Sequence, residues 1–426
     1  RASLNGRVTD PSGAPVANAK LEVRSATTGV IQNTTTTEDG RYQIPFLDPG
    51  SYIVTAEKGG FQRAIHEGLK LQISEKAELN IQMTLGEVSQ SVTVAANVGV
   101  IETENADRGF AMDAKRVENT PLQGRNIFAQ AWSAPGVAVT AGAMRLRPFD
   151  IAGSSGMAIN GGRPSMNEVL IDGVSNLSRA SSVAYVPPVE ATDEFRVQTT
   201  TFDAQYGWTT GGIVNVLTRS GGNEWHGNLF EFLQNTKLNA NTFNNNRVGV
   251  PRQSSQINTF GGSIGGPIKK NKLFVFGSYE NIRQVIPDPF TTSVPTELQR
   301  AGDFSQTRYR NSVTGQTDLI RIFDPFSTRQ TPTGIERDQF PGNIIPTSRL
   351  NPIAVRTLAM IPLGNVAGDP TSGLNNLSSS GATRKFTDFF PQYLVRGDYA
   401  INETSRMFIR YSRNALDEQR SFRYST

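Results

Sequence analysis

Apolar and polar residues alternate over short runs near the start of the chain and over much longer runs near its end. Ser3-Leu4-Asn5-Gly6-Arg7-Val8-Thr9 alternates, Asp10-Pro11-Ser12-Gly13 supplies a turn, and Ala19 to Arg24 alternates again. Thr34 to Thr37 leads into Glu38-Asp39-Gly40, where Asp-Gly is a strong hairpin signal. Arg41-Tyr42-Gln43-Ile44, the turn Leu47-Asp48-Pro49-Gly50, the β-rich run Ser51 to Ala56 and a last alternating run Leu79 to Leu85 follow. Turns recurring about every ten residues predict a small β-sandwich over residues 1–86.

Residues 87–108 read as a linker that carries one β-prone hexapeptide, Ser91 to Ala96. From Ala111 to Gly222 the pattern is mixed α/β. A short helical segment is predicted near Ile127 to Trp132, stopping at Pro135-Gly136, with strands at Glu168 to Ile171, Glu194 to Thr200 and Gly212 to Thr218.

Beyond Gly222 the strands lengthen. Over 391–412, Tyr393, Val395, Gly397, Tyr399 and Ile401 share one face, and Gln392, Leu394, Arg396, Asp398 and Ala400 the other. After the turn Asn402-Glu403-Thr404, Met407, Ile409 and Tyr411 oppose Arg406, Phe408, Arg410 and Ser412. One face suits lipid and the other water. A soluble sandwich also alternates, but runs of about ten residues match a tilted bilayer crossing better than the soluble average of about 5–6. Between 287 and 390 lies a long span rich in Pro, Asn, Thr and Gly, which fits an external loop of an outer-membrane barrel.

Composition narrows the chemistry. The 426 residues contain no Cys and 2 His, which excludes a disulfide framework, a thiolate metal site and a cysteine nucleophile, and disfavours a histidine-rich metal centre. No run approaches the ~18 apolar residues of a membrane-spanning helix, so only a β-barrel would cross a bilayer. With 42 Lys+Arg against 38 Asp+Glu and no basic run interleaved with aromatics, no nucleic-acid partner is expected. No Gly-x-Ser-x-Gly elbow with a His partner and no Walker-type loop occurs, so neither an enzyme nor a cofactor is expected.

Several motifs in fixed order carry a resemblance. Gly6-Arg7-Val8-Thr9-Asp10, Ala17-Asn18-Ala19, Asp39-Gly40-Arg41-Tyr42 and Leu47 to Tyr52 resemble a carboxypeptidase-regulatory-like sandwich. Further on come Leu122-Gln123-Gly124-Arg125-Asn126, Pro135-Gly136-Val137, Asn160-Gly161-Gly162-Arg163, Leu170-Ile171-Asp172-Gly173-Val174, Glu194 to Val197, Ala204-Gln205-Tyr206-Gly207 and Gly211 to Gly221. His226 to Phe232 and Phe260 to Pro267 then resemble first and second barrel strands. In sequence, these motifs resemble the TonB-dependent outer-membrane transporters, specifically the Oar-like branch with an N-terminal carboxypeptidase-regulatory-like domain.

The resemblance implies a mainly β chain: a β-sandwich at 1–86, a linker at 87–108, an α/β plug domain at 109–222, and the first strands of a transmembrane antiparallel β-barrel at 223–426, with the extracellular loop near 287–390. Such barrels have about 22 strands, so the chain is expected to be a fragment truncated within the barrel. It further implies partners in TonB with its inner-membrane motor complex, in outer-membrane lipid, and in an extracellular ligand whose class stays open among oligosaccharide, siderophore and peptide. The sandwich is expected in the periplasm. Ser91, Val92, Thr93, Val94 and Ala95 resemble a TonB box, which pairs as an added strand; the same run also suits a last sandwich strand.

Arg125, Arg163 and Asp172 suit polar locks between plug and wall, or else a substrate path. Gly124, Gly161, Gly173, Gly211 and Gly212, with Asn160 and Asn215, belong to the plug motifs. The Gly-rich turns suit tight backbone geometry better than an anion cradle. Phe274, Phe276, Tyr279, Tyr393 and Tyr399 suit a wall and lipid–water girdle, with sugar stacking the other option. His66-Glu67 raises a zinc peptidase, but His226 falls on a distant strand and no second ligand is in view. A surface or periplasmic adhesion or scaffold protein, its sandwich binding polysaccharide or protein, is the alternative reading for the whole chain.

Overall fold

The computed structural model describes residues 1–87, 91–95, 108–140, 148–149, 155–200, 209–247, 249, 252, 254–287, 290–369, 372–379, 385–403 and 405–420. The Ala204 to Gly207 motif and Thr404 lie outside the described residues. The chain forms two units, one of residues 1–231, 259–282 and 390–416, the other of 232–258, 283–389 and 417–426.

In the first unit the N-terminal strands are β1 (Ala2–Thr9), β2 (Lys20–Ser25), β3 (Ile31–Thr35), β4 (Arg41–Leu47), β5 (Gly50–Glu57), β6 (Arg63–Leu71), β7 (Lys76–Glu78), β8 (Ile81–Gln82) and β9 (Ser91–Ala95). One sheet has the order β4-β1-β7 with β8 also on β1, and the other has the order β3-β2-β5-β6-β9. Alternate residues point inward, so Leu4, Val8, Leu21, Val23, Val54, Ala56, Leu69 and Leu71 fill one core. Two tyrosines bring their rings to that core and still satisfy their hydroxyls: Tyr42 donates to the Leu79 carbonyl at 2.7 Å, and Tyr52 to the Asp48 carbonyl at 2.6 Å.

Next come β10 (Arg108–Asp113), β11 (Val137–Val139), β12 (Met157–Ile159), β13 (Glu168–Ile171), β14 (Val174–Ser175), β15 (Thr192–Thr200) and β16 (Ile213–Thr218). The main sheet has the order β10-β15-β16-β13-β14, mixed because β13 runs parallel to β16. Helix α1 (Ala114–Asn119) starts where the Asp113 carboxylate accepts from the Arg116 N–H. The segment read as helical near Ile127 is a 3-10 turn pair, Ile127–Ser133, with Asn126 capping it. It buries Ile127, Phe128 and Ala131 against Val169, Phe195, Val197 and Val214, and the Phe128 and Phe195 rings meet edge-on at 6.3 Å.

The long strands are β17 (His226–Asn235), β18 (Gln256–Lys269) and β19 (Leu273–Pro287), then Lys385–Ala400 and Arg406–Asn414, hydrogen-bonded in that order in an open sheet. The Lys385 strand thus begins inside the span read as loop. Its pairing with Arg406–Asn414 covers Gln392 to Ala400 and stops beside Pro391, which has no N–H to donate. A short turn at 270–272 joins β18 to β19, and the last two strands end and begin at Ala400 and Arg406. Gln392 and Leu394 are fully buried while Tyr393, Val395, Ile409 and Tyr411 are exposed, which is the alternation the sequence predicts.

Among its described residues the second unit buries only scattered apolar side chains, such as Val294, Phe340 and Leu377. It contains the paired strands Phe290–Thr292 and Leu377–Ser379, the hairpins Arg308–Arg310/Thr317–Leu319 and Arg329–Thr331/Gly334–Glu336, and the helix Pro352–Ala359. Polar hubs hold it. Asn343 accepts from the Ile322 N–H at 2.7 Å and donates to the carbonyls of Phe304 (2.7 Å) and Ile320 (2.9 Å). Arg300 donates to the carbonyls of Leu358, Ile361 and Pro362. Arg349 pairs with Asp324 and lies over the rings of Phe326 (4.6 Å) and Phe340 (5.8 Å).

Candidate functional site

The five residues Ser91–Ala95 form β9, the edge strand of the larger sandwich sheet. They run parallel to β6, with Arg63 opposite Ser91, Ile65 opposite Thr93 and Glu67 opposite Ala95. Among the described residues no strand pairs with the other side of β9, which stands last in the order of its sheet.

The plug residues gather into two buried ion clusters against the long strands. In the first, Gly124 (φ 72°) and Arg125 (φ 55°) take successive left-handed conformations, which turn the Arg125 side chain toward the wall. Its guanidinium contacts Glu190 of the plug at 2.5 Å and Glu280 of β19 at 3.0 Å, and lies 4.8 Å from the Phe230 ring. Gln392 donates to the other Glu280 oxygen at 3.1 Å. Two buried carboxylates thus share one cation from a different element.

The second cluster centres on Asp172. Its carboxylate accepts from the Thr218 N–H and hydroxyl, both at 2.8 Å, from Arg396 at 3.2 Å and from Arg410. Arg396 and Arg410 stand directly opposite each other on neighbouring strands, a repulsive pairing by itself. Asp172 bridges them from the plug, and Asp398 also binds Arg396 at 2.8 Å.

The other motif residues play different parts. Arg163 is exposed and joins neither cluster. Asn160 donates to the Thr199 carbonyl at 2.6 Å, and Gly161 and Gly173 occupy the turns beside Asn160 and Asp172. A Cβ on Gly212 would lie 2.6 Å from the Ile159 side chain and 2.9 Å from the Gln198 carbonyl, and one on Gly211 would lie 2.3 Å from Asn167 Oδ1. These glycines allow close backbone approach. Asn215 is buried on β16 and donates to the Ser74 hydroxyl of the sandwich at 3.3 Å.

Phe260, Tyr279 and Tyr393 form a row across three adjacent strands, with ring centroids 6.4 and 5.1 Å apart. Tyr399 receives Lys272 at 5.8 Å near the short turn. Phe274 and Phe276 are buried instead, and Phe276 packs on Ala191 of the plug. Their even positions on β19 put them on the inward face. His66 is half-buried on β6, and burial lowers its pKa from the usual 6.5. His226 is exposed, and no group of three or more His, Asp or Glu is placed to hold a metal among the described residues.

Sequence motifs missed Glu190, Glu280, Arg396 and Arg410. The signal for the last two was present, since both fall on the water-facing side of alternating strands. Their partner Asp172 is more than two hundred positions away, and nothing in local spacing links them.

Residues 217–426 match the outer membrane beta barrel domain family, and residues 3–84 match the carboxypeptidase regulatory-like domain family. The TonB-dependent transporter Oar of Myxococcus xanthus is 27% identical over 290 residues, covering 65% of this chain and 26% of Oar. Among solved structures, the outer membrane transporter YddB from Escherichia coli superposes with a TM-score of 0.41 at 11% identity, over 73% of this chain and 33% of that one. The siderophore receptor PirA from Acinetobacter baumannii gives 0.30 at 13% identity, over 73% and 44%. This chain therefore spans about a quarter of the length of Oar. It is an outer-membrane, mainly β chain, homologous to the TonB-dependent transporter Oar, in which a carboxypeptidase regulatory-like domain accompanies an outer membrane β-barrel domain.

Proposed function

We propose that the chain is part of an energy-coupled receptor and transporter that takes a large or scarce ligand across the outer membrane. Residues 1–86 are the periplasmic sandwich, 87–108 the linker, 109–222 the plug, and 223–426 the beginning of the wall with its extracellular segment near 287–390. TonB and its inner-membrane motor supply the work, and the protein binds and moves its ligand without covalent chemistry. The Arg125 and Asp172 clusters act as latches that hold the plug until it is pulled. Loss of one partner from such a buried cluster costs about 3–5 kcal/mol, large enough to keep the plug seated at rest.

The observation that carries this reading is the position of β9 as the edge strand of its sheet. A strand with one unpaired side is a ready template for strand addition by another chain. The test is binding of the purified periplasmic domain of TonB to the full-length protein in lipid nanodiscs. Val94→Pro removes a main-chain donor from the strand and is expected to weaken binding by at least about tenfold, with the barrel still inserted. Equal binding by this variant and the parent would remove β9 as the coupling segment.

A further inference from the structure

The turn between β6 and β7 leaves the sandwich and seats on the plug sheet. Ile73 at its tip is only 1% exposed, yet it belongs to neither the sandwich core nor the plug core. Its N–H donates to Glu194 Oε2 at 2.7 Å, and its carbonyl accepts from Arg196 Nη1 at 2.8 Å. Ser74 follows with φ 58°, a left-handed conformation unusual for a non-glycine residue, and its hydroxyl accepts from Asn215. Glu194, Arg196 and Asn215 are all buried and sit on β15 and β16, two neighbouring interior strands of the plug sheet.

The turn is stiff and doubly rooted. The Glu75 carboxylate accepts from the Gln72 N–H at 2.5 Å, and the Glu75 N–H donates back to the Gln72 carbonyl at 3.2 Å. The Glu75 carbonyl accepts from Ser3 of β1 at 2.9 Å. On one side the turn continues β6, which carries β9, and on the other it enters β7 of the opposite sheet. Both sheets of the sandwich therefore converge on this contact. A load along β9 acts in shear on its five register pairs with β6 and reaches the Gln72–Glu75 turn directly.

We propose that the sandwich is a load-bearing arm and that the Gln72–Glu75 turn, clamped by Glu194, Arg196 and Asn215, is the joint through which a pull on the 91–95 strand enters the plug sheet. The proposal assigns the carboxypeptidase-regulatory-like domain a mechanical task in parallel with the covalent linker, and its physiological puller rests on the coupling reading of β9. Desolvation pushes Glu194 up to about 8, so at ordinary pH its own carboxyl is mostly neutral when the contact is formed.

The test is single-molecule pulling on the full-length protein in a lipid nanodisc. The handle is attached through an azide-bearing residue in place of the exposed Thr93. In the parent, the sandwich is expected to stay seated until the plug sheet yields. Ile73→Lys puts a charge into the joint and leaves the sandwich core untouched. It is expected to add an earlier release step at about half the force, since buried contacts are lost. These 426 residues contain no cysteine, so adding Ser74→Cys and Asn215→Cys to Ile73→Lys permits one specific cross-link. Oxidation is expected to remove the early step and reduction to restore it, a rescue that general destabilisation would not show.

Identical traces for parent and Ile73→Lys, or release of the parent's sandwich before any plug extension, would overturn the joint. A second series uses the periplasmic domain of TonB as the handle. If that domain fails to grip while the azide handle reports the joint, the coupling reading of β9 falls and the arm stands. If it grips while no joint is seen, the reverse holds.

Discussion

Arg125 is the residue on which the first ion cluster depends, because Glu190 and Glu280 both take their cation from it. Arg125→Ala is expected to destabilise the seated plug by about 3–5 kcal/mol, since it strands two buried carboxylates. The measurement is the urea midpoint for tryptic cleavage within 109–222, and an unchanged midpoint would show that the cluster holds nothing. Gly212→Ala drives a methyl group into Ile159 and the Gln198 carbonyl and is expected to cost about 1–3 kcal/mol in the same assay. Glu194 behaves differently, because its chemistry is set by burial and by Asp193, Arg196 and Glu75 nearby. Burial raises its value from the usual 4.5 to about 8, so the contribution of this burial is fully present below about 4.5 and is lost as pH climbs through about 8. Exchange of the Ile73 amide, corrected for intrinsic chemistry, should therefore accelerate between those limits, and Glu194→Gln should flatten the profile. The sequence held part of this. Asp172 and Arg125 are recognisable from motif position, whereas Glu190 and Glu280 are carboxylates without a local pattern, given meaning only by the turn at Gly124.

At the level of elements, legibility followed alternation. β1, β2 and β5 are readable because every second residue is apolar. β6 is not, since Arg63-Ala64-Ile65-His66-Glu67-Gly68 interrupts the period with charges and a glycine. Its place is set by β5 on one side and β9 on the other. The long wall strands were visible for the same reason as β1, and the start at Lys385 was hidden by Asp388 and Pro391, which look like loop residues. Asp388 is in fact fully buried, with Gln284 donating to it at 3.2 Å and Arg420 also bonded. The 287–390 span reads as loop because its order comes from side-chain-to-carbonyl hubs, which leave no periodic trace. Asn343→Ala removes four side-chain hydrogen bonds, two of them to carbonyls, and is expected to cost about 2–4 kcal/mol. Limited proteolysis should then cut first between Gly302 and Ile345, where the hub bonds converge. Retained protection would mean that the hairpins hold themselves.

For the molecule as a whole, the separate cores make a claim about folding. The sandwich core draws on residues between Ala2 and Met83 alone. A fragment of residues 1–95 is accordingly expected to fold alone and to melt in one cooperative transition by circular dichroism, as small domains do. A gradual, non-cooperative melt would mean that the plug is needed to complete it. The second unit gives a different lesson. Its frame lies in Asn343, Arg300 and Arg349, while the tips of the two hairpins described above bond only within their own turns: Val313 is 92% exposed and donates to Asn311, and the exposed Thr333 lies beside the Thr331 hydroxyl. Those tips are free for rewriting. A foreign peptide spliced in at either one would be held on an intact support, and if the segment faces outward as proposed it becomes a mount for surface labels and for binders grafted to order.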